Sequence, residues 1–479
     1  MGLRRNFTYN IILTSANYIF PLLVFPYVSR VLGVYNLGIY NFVENIVMYF
    51  TMLSMMGIGV LGIREIAAVQ SKRQELNNTF SNLLYLNGAF TLLSVIILIA
   101  CIHLVPQFNE YKGLMYIGVI NIIANYLLLD WLYKGLEDFA YVTKRTLTIK
   151  IIYVIAIFIW VNTPEDYTLY YVLTTASVVV NASVNLYHSR KYVRLSFSHL
   201  EFKKYLKPNI RLGTYWVLTT LYASIYTIYL GFVSTPKQIG YFATASKLIL
   251  LTMSVYTAWT NVVMPRASAM LAEGQAQAFN SLLEKSIYAL FAFSIPISIV
   301  GCIFSDDIIW ILSGIGYEGA STPSRILMPL VFVIGFSQIL IIQVLMPLRK
   351  DRVLLRNALL GAIVGITMGL TLVPHYFAIG ASYAWLTSEL TVLVVTLIYI
   401  HLKIHILFPW NQLFKQLLWH IPIAATCIFL YIYLPANHYL RIIITGSIVA
   451  IYSLLVQTLV LKNPIFGALP NLLSILKRK

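Results

Sequence analysis

Residues 241–259 read YFATASKLILLTMSVYTAW, an almost wholly apolar run that carries one full positive charge, Lys247, about two helical turns from its start. Whether this run crosses a bilayer decides the fold, and the rest of the chain answers. Of 479 residues, 59% are hydrophobic and 11% charged, against roughly a quarter charged in a soluble domain; mean hydropathy is +0.78. A window of about 20 apolar residues, the length that crosses a hydrocarbon core of roughly 30 Å, finds fourteen segments. They lie near 9–29, 38–62, 80–105, 114–133, 147–162, 168–187, 210–232, 240–264, 286–305, 326–346, 356–374, 377–401, 417–434 and 440–461. The stretches between them are too short for a soluble domain of ordinary size. The expected class is all-α: a polytopic membrane protein of about 14 transmembrane helices.

The net charge of +17 raises a nucleic-acid partner, and its placement argues against one. With the N-terminus cytoplasmic, 28 of the 34 Lys and Arg residues fall in cytoplasmic segments, five fall outside, and Lys247 is left within a span. That alternation is the positive-inside pattern, with both termini inside, and the charge is expected to meet anionic lipids. The basic opening MGLRRN precedes an apolar run too long for a signal peptide and lacking a small-residue cleavage site, so it reads as a retained helix. Asn6 stands where myristoylation needs Ser or Thr. Cys101, Cys302 and Cys427 are far apart in apolar runs, and the eight histidines show no zinc spacing, so neither a disulfide framework nor a metal site is expected.

The most basic loop divides the chain into an N-terminal six-helix lobe (1–190), a basic linker (191–209), a C-terminal six-helix lobe (210–403), and an extra helix pair with a basic tail (404–479). An offset of 202 sets Tyr27 on Tyr229, Gly38 on Gly240, Val60 on Val262 and Arg64 on Arg266. Six helices per unit give two pseudo-symmetric lobes related by an axis along the membrane normal, and such transporters usually bind cargo at the seam between lobes.

Thr244, Lys247, Ser254 and Asn261 share one helical face, and Asn41, Glu44, Asn45 and Thr51 form the counterpart in the second segment. Polar stripes in a membrane want water or protein, and a mid-bilayer lysine costs roughly 2.5 to 3.5 kcal/mol on the insertion scale, which an anionic ligand would offset. The plain alternatives for Lys247 are a structural pair with Glu44, or snorkelling to the interface. Glu389 reads either as a proton or cation site coupling a gradient to transport or as a packed, protonated side chain. Asp130, one turn before Lys134, is by default a local pair. Tyr215, Thr219, Tyr222, Tyr226 and Tyr229 share a face suited to stacking on sugars, or to plain packing. Pro21 and Pro26, with Gly57, Gly59 and Gly62, mark places where helices bend or thin. Arg30 and Arg325 either steer phosphate or mark the interface, and Asp306 and Asp307 read as a solvated loop or helix cap before a metal pair.

YVSRVLGVYNLGIYNF (27–42), GIGVLGIREIA (57–67), DWLYKGLEDF (130–139) and QIGYFATASK (238–247) together resemble the bacterial polysaccharide flippases of the Wzx type, within the multidrug, oligosaccharidyl-lipid and polysaccharide exporter superfamily. The resemblance spans essentially the whole chain. It implies a flippase, not an enzyme, that moves an undecaprenyl-diphosphate-linked oligosaccharide for O-antigen, capsule or a related glycan across the inner membrane by alternating access. It further implies a cationic cavity for the diphosphate, with no cofactor beyond proton or sodium coupling, and a glycan polymerase and chain-length machinery as partners. On the positions that match, Arg30, Lys247, Arg64 and Arg266 take the basic roles, and Glu44 and Asp130 the acidic ones. The rivals are a cation-coupled drug exporter of the same fold, which should prefer acidic residues where Lys247 stands, and a membrane glycan polymerase, which needs a larger outer loop than this chain carries.

Overall fold

Gly33 takes the place of a loop. At φ 71° and ψ 167° it occupies a region open to glycine and closed to other residues, and it turns the chain between the first two apolar segments with no polar linker. Helix α1 (Leu3–Met55) therefore runs through both segments, and the break falls at Gly33 rather than at Pro21 or Pro26. The computed structural model describes residues 3–196, 201–404, 406 and 408–463, without the side chains of residues 3–8, 10, 11, 18, 215–224, 255, 258, 261, 262 and 272. The same device recurs in α15 (Asp351–Lys403), broken at Phe377 with φ 48° and ψ −121°, three residues after Pro374 removes a backbone donor. Among the described residues, eight helices or helix groups are long and apolar enough to cross a membrane, or nine if the pair Glu318–Leu327 and Leu330–Leu345, bent by 41°, is one span. α1 and α15 each carry two of the fourteen segments, one on either side of the break.

By contacts the chain divides into Met1–Gly240 and Tyr241–Lys479. The first unit comprises α1, α2 (Ile58–Val69), α3 (Arg73–Leu104), the short α4 (Pro106–Glu110), α5 (Lys112–Tyr126), α6 (Asp130–Gly135), α7 (Phe139–Trp160), α8 (Tyr167–Ser189) and α9 (Phe202–Val233), with the start of α10 (Pro236–Ala272). The first unit runs past the basic linker because α9 packs back on α1, α2 and α3. A Cβ on Gly57 would stand 2.7 Å from Leu212 Cβ, and one on Gly213 would stand 2.9 Å from Gly57 N. Farther along α9, Gly231 lies directly under the Phe42 ring. At that end of the unit, Phe42 also meets Phe108, Tyr111 and Phe232 edge-on, and Tyr27 Oη donates to Val161 O at 2.8 Å.

The two glycines aligned by the sequence repeat meet there. A side chain on Gly38 would run into the Pro236 carbonyl and stand 3.1 Å from Gly240 N, while one on Gly240 would run into the Val34 carbonyl. At the opposite, basic end, two of the quoted motifs form one contact. A Cβ on Gly62 would stand 2.6 Å from the Trp131 ring, and one on Gly135 would stand 2.8 Å from Ile66. Trp131 also stacks on Phe80 with centroids 5.6 Å apart. Gly57 and Gly62 therefore serve close approach, whereas Gly59 faces open space.

The second unit holds the rest of α10, then α11 (Ala276–Ile303), α12 (Ser305–Ser313), α13 (Ser321–Leu327), α14 (Leu330–Gln338) continuing as a π-helical turn over Ile339–Leu345, α15, α16 (Trp410–Tyr433) and α17 (His438–Leu455). Phe304, Ile423, Cys427 and Val449 form a small core joining α16 and α17 to the region after α11. Exposed stripes such as Leu92, Ile96 and Ile99 on α3, or Ile151, Ile152, Ile155 and Ile159 on α7, recur at helical spacing and suit contact with lipid chains.

Asp306 and Asp307, expected as a solvated loop or cap, are structural. Asp307 is buried, 2.6 Å from His438 Nδ1 and 3.7 Å from Arg441, while Asp306 pairs with Arg325 and accepts from Tyr431 Oη at 3.1 Å. These bonds tie α12 and α13 to α16 and α17. Removing a buried ionic partner strands the charges facing it, so Asp307→Ala should lower stability by about 3 kcal/mol and expose the α16–α17 hairpin to protease, measured by limited proteolysis in detergent.

Candidate functional site

In the second unit, Lys247 is half-buried on α10, and Thr244, one turn earlier on the same face, is fully buried. Ser254 Oγ donates to Leu251 O at 2.7 Å, so that hydroxyl is occupied by its own helix. Thr257 Oγ1 donates to Met253 O at 3.0 Å and lies 3.4 Å from Gln338 Oε1 on α14. The Asn261 side chain lies outside the described residues, and Arg266 is exposed. An apolar cavity of about 410 Å³ lies between α10, α11 and α17; Leu248 lines it, whereas Lys247, about 100° around the helix, is not among its lining residues. Its walls include Thr252, Phe293, Ile297, Val449 and Ser453.

Glu389 is buried on the second half of α15, with Trp385 Nε1 donating to its Oε1 at 3.4 Å. Trp385 meets Phe242 of α10 edge-on at 6.3 Å. The two halves of α15 are laced by polar bonds around this glutamate: Ser388 Oγ to Gly361 O at 2.8 Å and Asn357 Nδ2 to Thr396 Oγ1 at 3.0 Å. A carboxyl in such a setting costs least when protonated or when a cation joins it.

In the first unit, Glu44 is half-buried with Tyr40, Tyr153, Tyr170 and Tyr171 as its electrostatic neighbours. The rings pack closely, Tyr40 to Tyr170 at 4.7 Å and Tyr40 to Tyr171 at 5.7 Å. Asn41, Asn45 and Thr51 instead donate to carbonyls one turn back, at 2.7, 2.7 and 2.8 Å. Arg30 is exposed just before the Gly33 break. Arg64 is exposed and bonded to Glu65 at 2.9 Å, a surface pair of little energetic weight. Tyr226 is fully buried in the first unit. The side chains of Tyr215, Thr219 and Tyr222 lie outside the described residues.

Asp130 departs from the local pair expected with Lys134. Leu129, in left-handed conformation at φ 52°, turns the chain into α6 and brings Asp130 to Arg145, fifteen residues on, at 3.1 Å. Sequence reasoning missed the residue that organises this cluster, Asn185, which is fully buried. Its carbonyl oxygen accepts from Tyr133 Oη at 2.5 Å. Its side-chain oxygen accepts from Arg145 and from Tyr141 Oη at 3.1 Å, and its amide donates to Leu128 O and to Asp130 at 3.2 Å. His188 stacks on Tyr141 at 3.9 Å. Tyr192 Oη donates to Asp138 at 2.8 Å, and burial first, then this bond, pushes its phenol up to about 12, so it stays a donor at any working pH. Asn181 and Asn185, one turn apart near the end of α8, were the available signal. Asp130 thus has a structural employment, and among the described residues no group of three His, Cys, Asp or Glu is placed to hold a metal ion.

The family profile described as "Polysaccharide biosynthesis protein" matches residues 3–271. A protein of Escherichia coli K12 named "Putative O-antigen transporter" is 23% identical over 403 residues, covering 84% of this chain and 97% of that protein. Its namesake from Shigella dysenteriae is 25% identical over 404 residues, covering 82% and 99%. Among solved structures, the lipid II flippase MurJ in an inward closed conformation superposes with a TM-score of 0.77 at 16% identity, covering 94% of this chain and 99% of that one. An inward-facing multidrug transporter of the MATE family gives 0.63 at 12% identity, covering 85% and 99%. At these identities the likeness establishes a shared fold.

Proposed function

Because this chain belongs to the polysaccharide biosynthesis protein family, we propose that it is a flippase carrying undecaprenyl-diphosphate-linked oligosaccharide repeat units from the cytoplasmic to the periplasmic leaflet of a bacterial inner membrane. The observation that carries the reading is a half-buried ammonium, Lys247, inside an apolar span of the second unit. A diphosphate cargo supplies what such a cation needs, an anion that replaces lost water through charge-assisted hydrogen bonds. The apolar cavity of about 410 Å³ beside α10 is a separate dry surface in the same unit, suited to hydrocarbon. The named relatives, both O-antigen transporters by name, and the likeness to a lipid II flippase support the same cargo class.

The cycle we infer is alternating access, with both termini cytoplasmic, and with the breaks at Gly33 and Phe377 as the points where long helices flex. Glu389 or Glu44 takes up the coupling proton or sodium ion. Glycan polymerase and chain-length proteins would receive the product. A drug exporter of this fold would extrude organic cations, which Lys247 would repel.

Lys247→Ala should cut delivery of lipid-linked glycan to the periplasm by about tenfold or more, the weight of one charge-assisted contact, while membrane levels of the protein stay unchanged. Lys247→Arg should retain most of the activity. Surface glycan in matched strains is the measurement, and wild-type levels in the alanine strain would remove the ligand role. Deletion of the gene, followed by mass analysis of the accumulated lipid-linked intermediate, tests the cargo class itself.

A further inference from the structure

The first turns of α9 carry a face that packing leaves open. Tyr205 and Asn209 are buried and Gly213 abuts Gly57, so one side of the helix is committed to the first unit. On the other side Lys203, Lys207 and Arg211 follow each other at four-residue spacing, with Leu206 and Ile210 between them, 38% and 42% exposed. These five residues line a cavity of about 620 Å³. Lys204, off this face, pairs with Glu201 at 3.6 Å; among the described residues, no carboxylate pairs with Lys203, Lys207 or Arg211.

Three cations sharing a concave surface with exposed leucine and isoleucine are poorly served by water, which hydrates the charges but not the apolar side chains. The face sits where α9 enters the apolar segment beginning near residue 210, so headgroups and the first acyl carbons are within its reach. We propose that this face is a binding site for an anionic glycerophospholipid, its phosphate held by Lys203, Lys207 and Arg211 and its upper acyl chain lying along Leu206 and Ile210. Charge complementarity selects the occupant: a zwitterionic lipid brings its own cation, which three like charges repel, whereas phosphatidylglycerol brings only the anion. The site stands on the geometry of the first unit and is independent of the cargo carried.

The test uses the full chain, purified in detergent, stripped of lipid and titrated with phosphatidylglycerol or phosphatidylcholine, with retained lipid counted by native mass spectrometry. Wild type should hold phosphatidylglycerol in preference to phosphatidylcholine. The triple variant Lys203→Gln/Lys207→Gln/Arg211→Gln should weaken phosphatidylglycerol by about a hundredfold, at about fivefold per basic residue near an anionic headgroup. Lys72→Gln, at an exposed residue paired with Glu75, should change nothing. If the triple variant fails to fold, Lys207→Gln alone should show the fivefold loss. Equal retention by wild type and variant, or no preference over phosphatidylcholine, overturns the proposal. Binding of undecaprenyl diphosphate without binding of phosphatidylglycerol also overturns it, and gives the face to the cargo instead.

Discussion

Gly38→Val is expected to remove the folded protein from the membrane, with fluorescence-detected size-exclusion of detergent extracts as the measurement. The obstacles to a side chain there are the Pro236 carbonyl and the Gly240 backbone nitrogen. Main-chain atoms cannot change rotamer, so relief requires the start of α10 to move away from α1. Overpacking against side chains costs about 1–3 kcal/mol, and against fixed backbone the cost should be at least about 3 kcal/mol, a large share of a stability margin of about 5–15 kcal/mol. Gly240→Val should behave alike, since its side chain would meet Val34 O. Gly59→Ala supplies the contrast: nothing lies within 4 Å of its added carbon, so it should fall within about 1 kcal/mol of wild type, on the stabilising side through helix propensity.

Arg145→Met should cost about 3 kcal/mol, the lower end of what breaking a buried pair costs. The low end applies because the Asp130 side chain keeps 31% exposure against 5% for Arg145, so water offsets part of the orphaned charge. Asn185 would also lose a donor to its side-chain oxygen. A double variant, Asp130→Asn/Arg145→Met, should cost less than the sum of its parts because the two share one network. Thermal unfolding of the purified variants measures both, and strictly additive losses would show that the pair carries no coupling.

Hydropathy made the all-helical membrane class legible, and the single lysine in 241–259 made one candidate contact legible. Hydropathy also set 9–29 apart from 38–62 and 356–374 apart from 377–401, and the breaks at Gly33 and Phe377 fall at those boundaries. It could not show that each turn takes a single residue. Nor could it assign α9, whose place is set by glycines at 57, 213 and 231 that meet partners far away in sequence. The Asp130 to Lys134 expectation followed from a spacing that is reliable inside a helix. It failed because α6 is only six residues long and begins at Asp130 itself, straight after a left-handed residue, so the carboxylate is aimed by the turn. Tyr226 shows the ambiguity of aromatic periodicity: a stripe at helical spacing fits a core as well as a ligand, and the structure shows Tyr226 buried.

The contact between Gly62 and the Trp131 indole, with Gly135 against Ile66 beside it, joins the two stretches 57–67 and 130–139 into a single lock. Drift at one half is then constrained by the other: a lineage that thickened position 62 would have to slim position 131 in the same interval, and an alignment of many relatives should show those two columns changing in tandem.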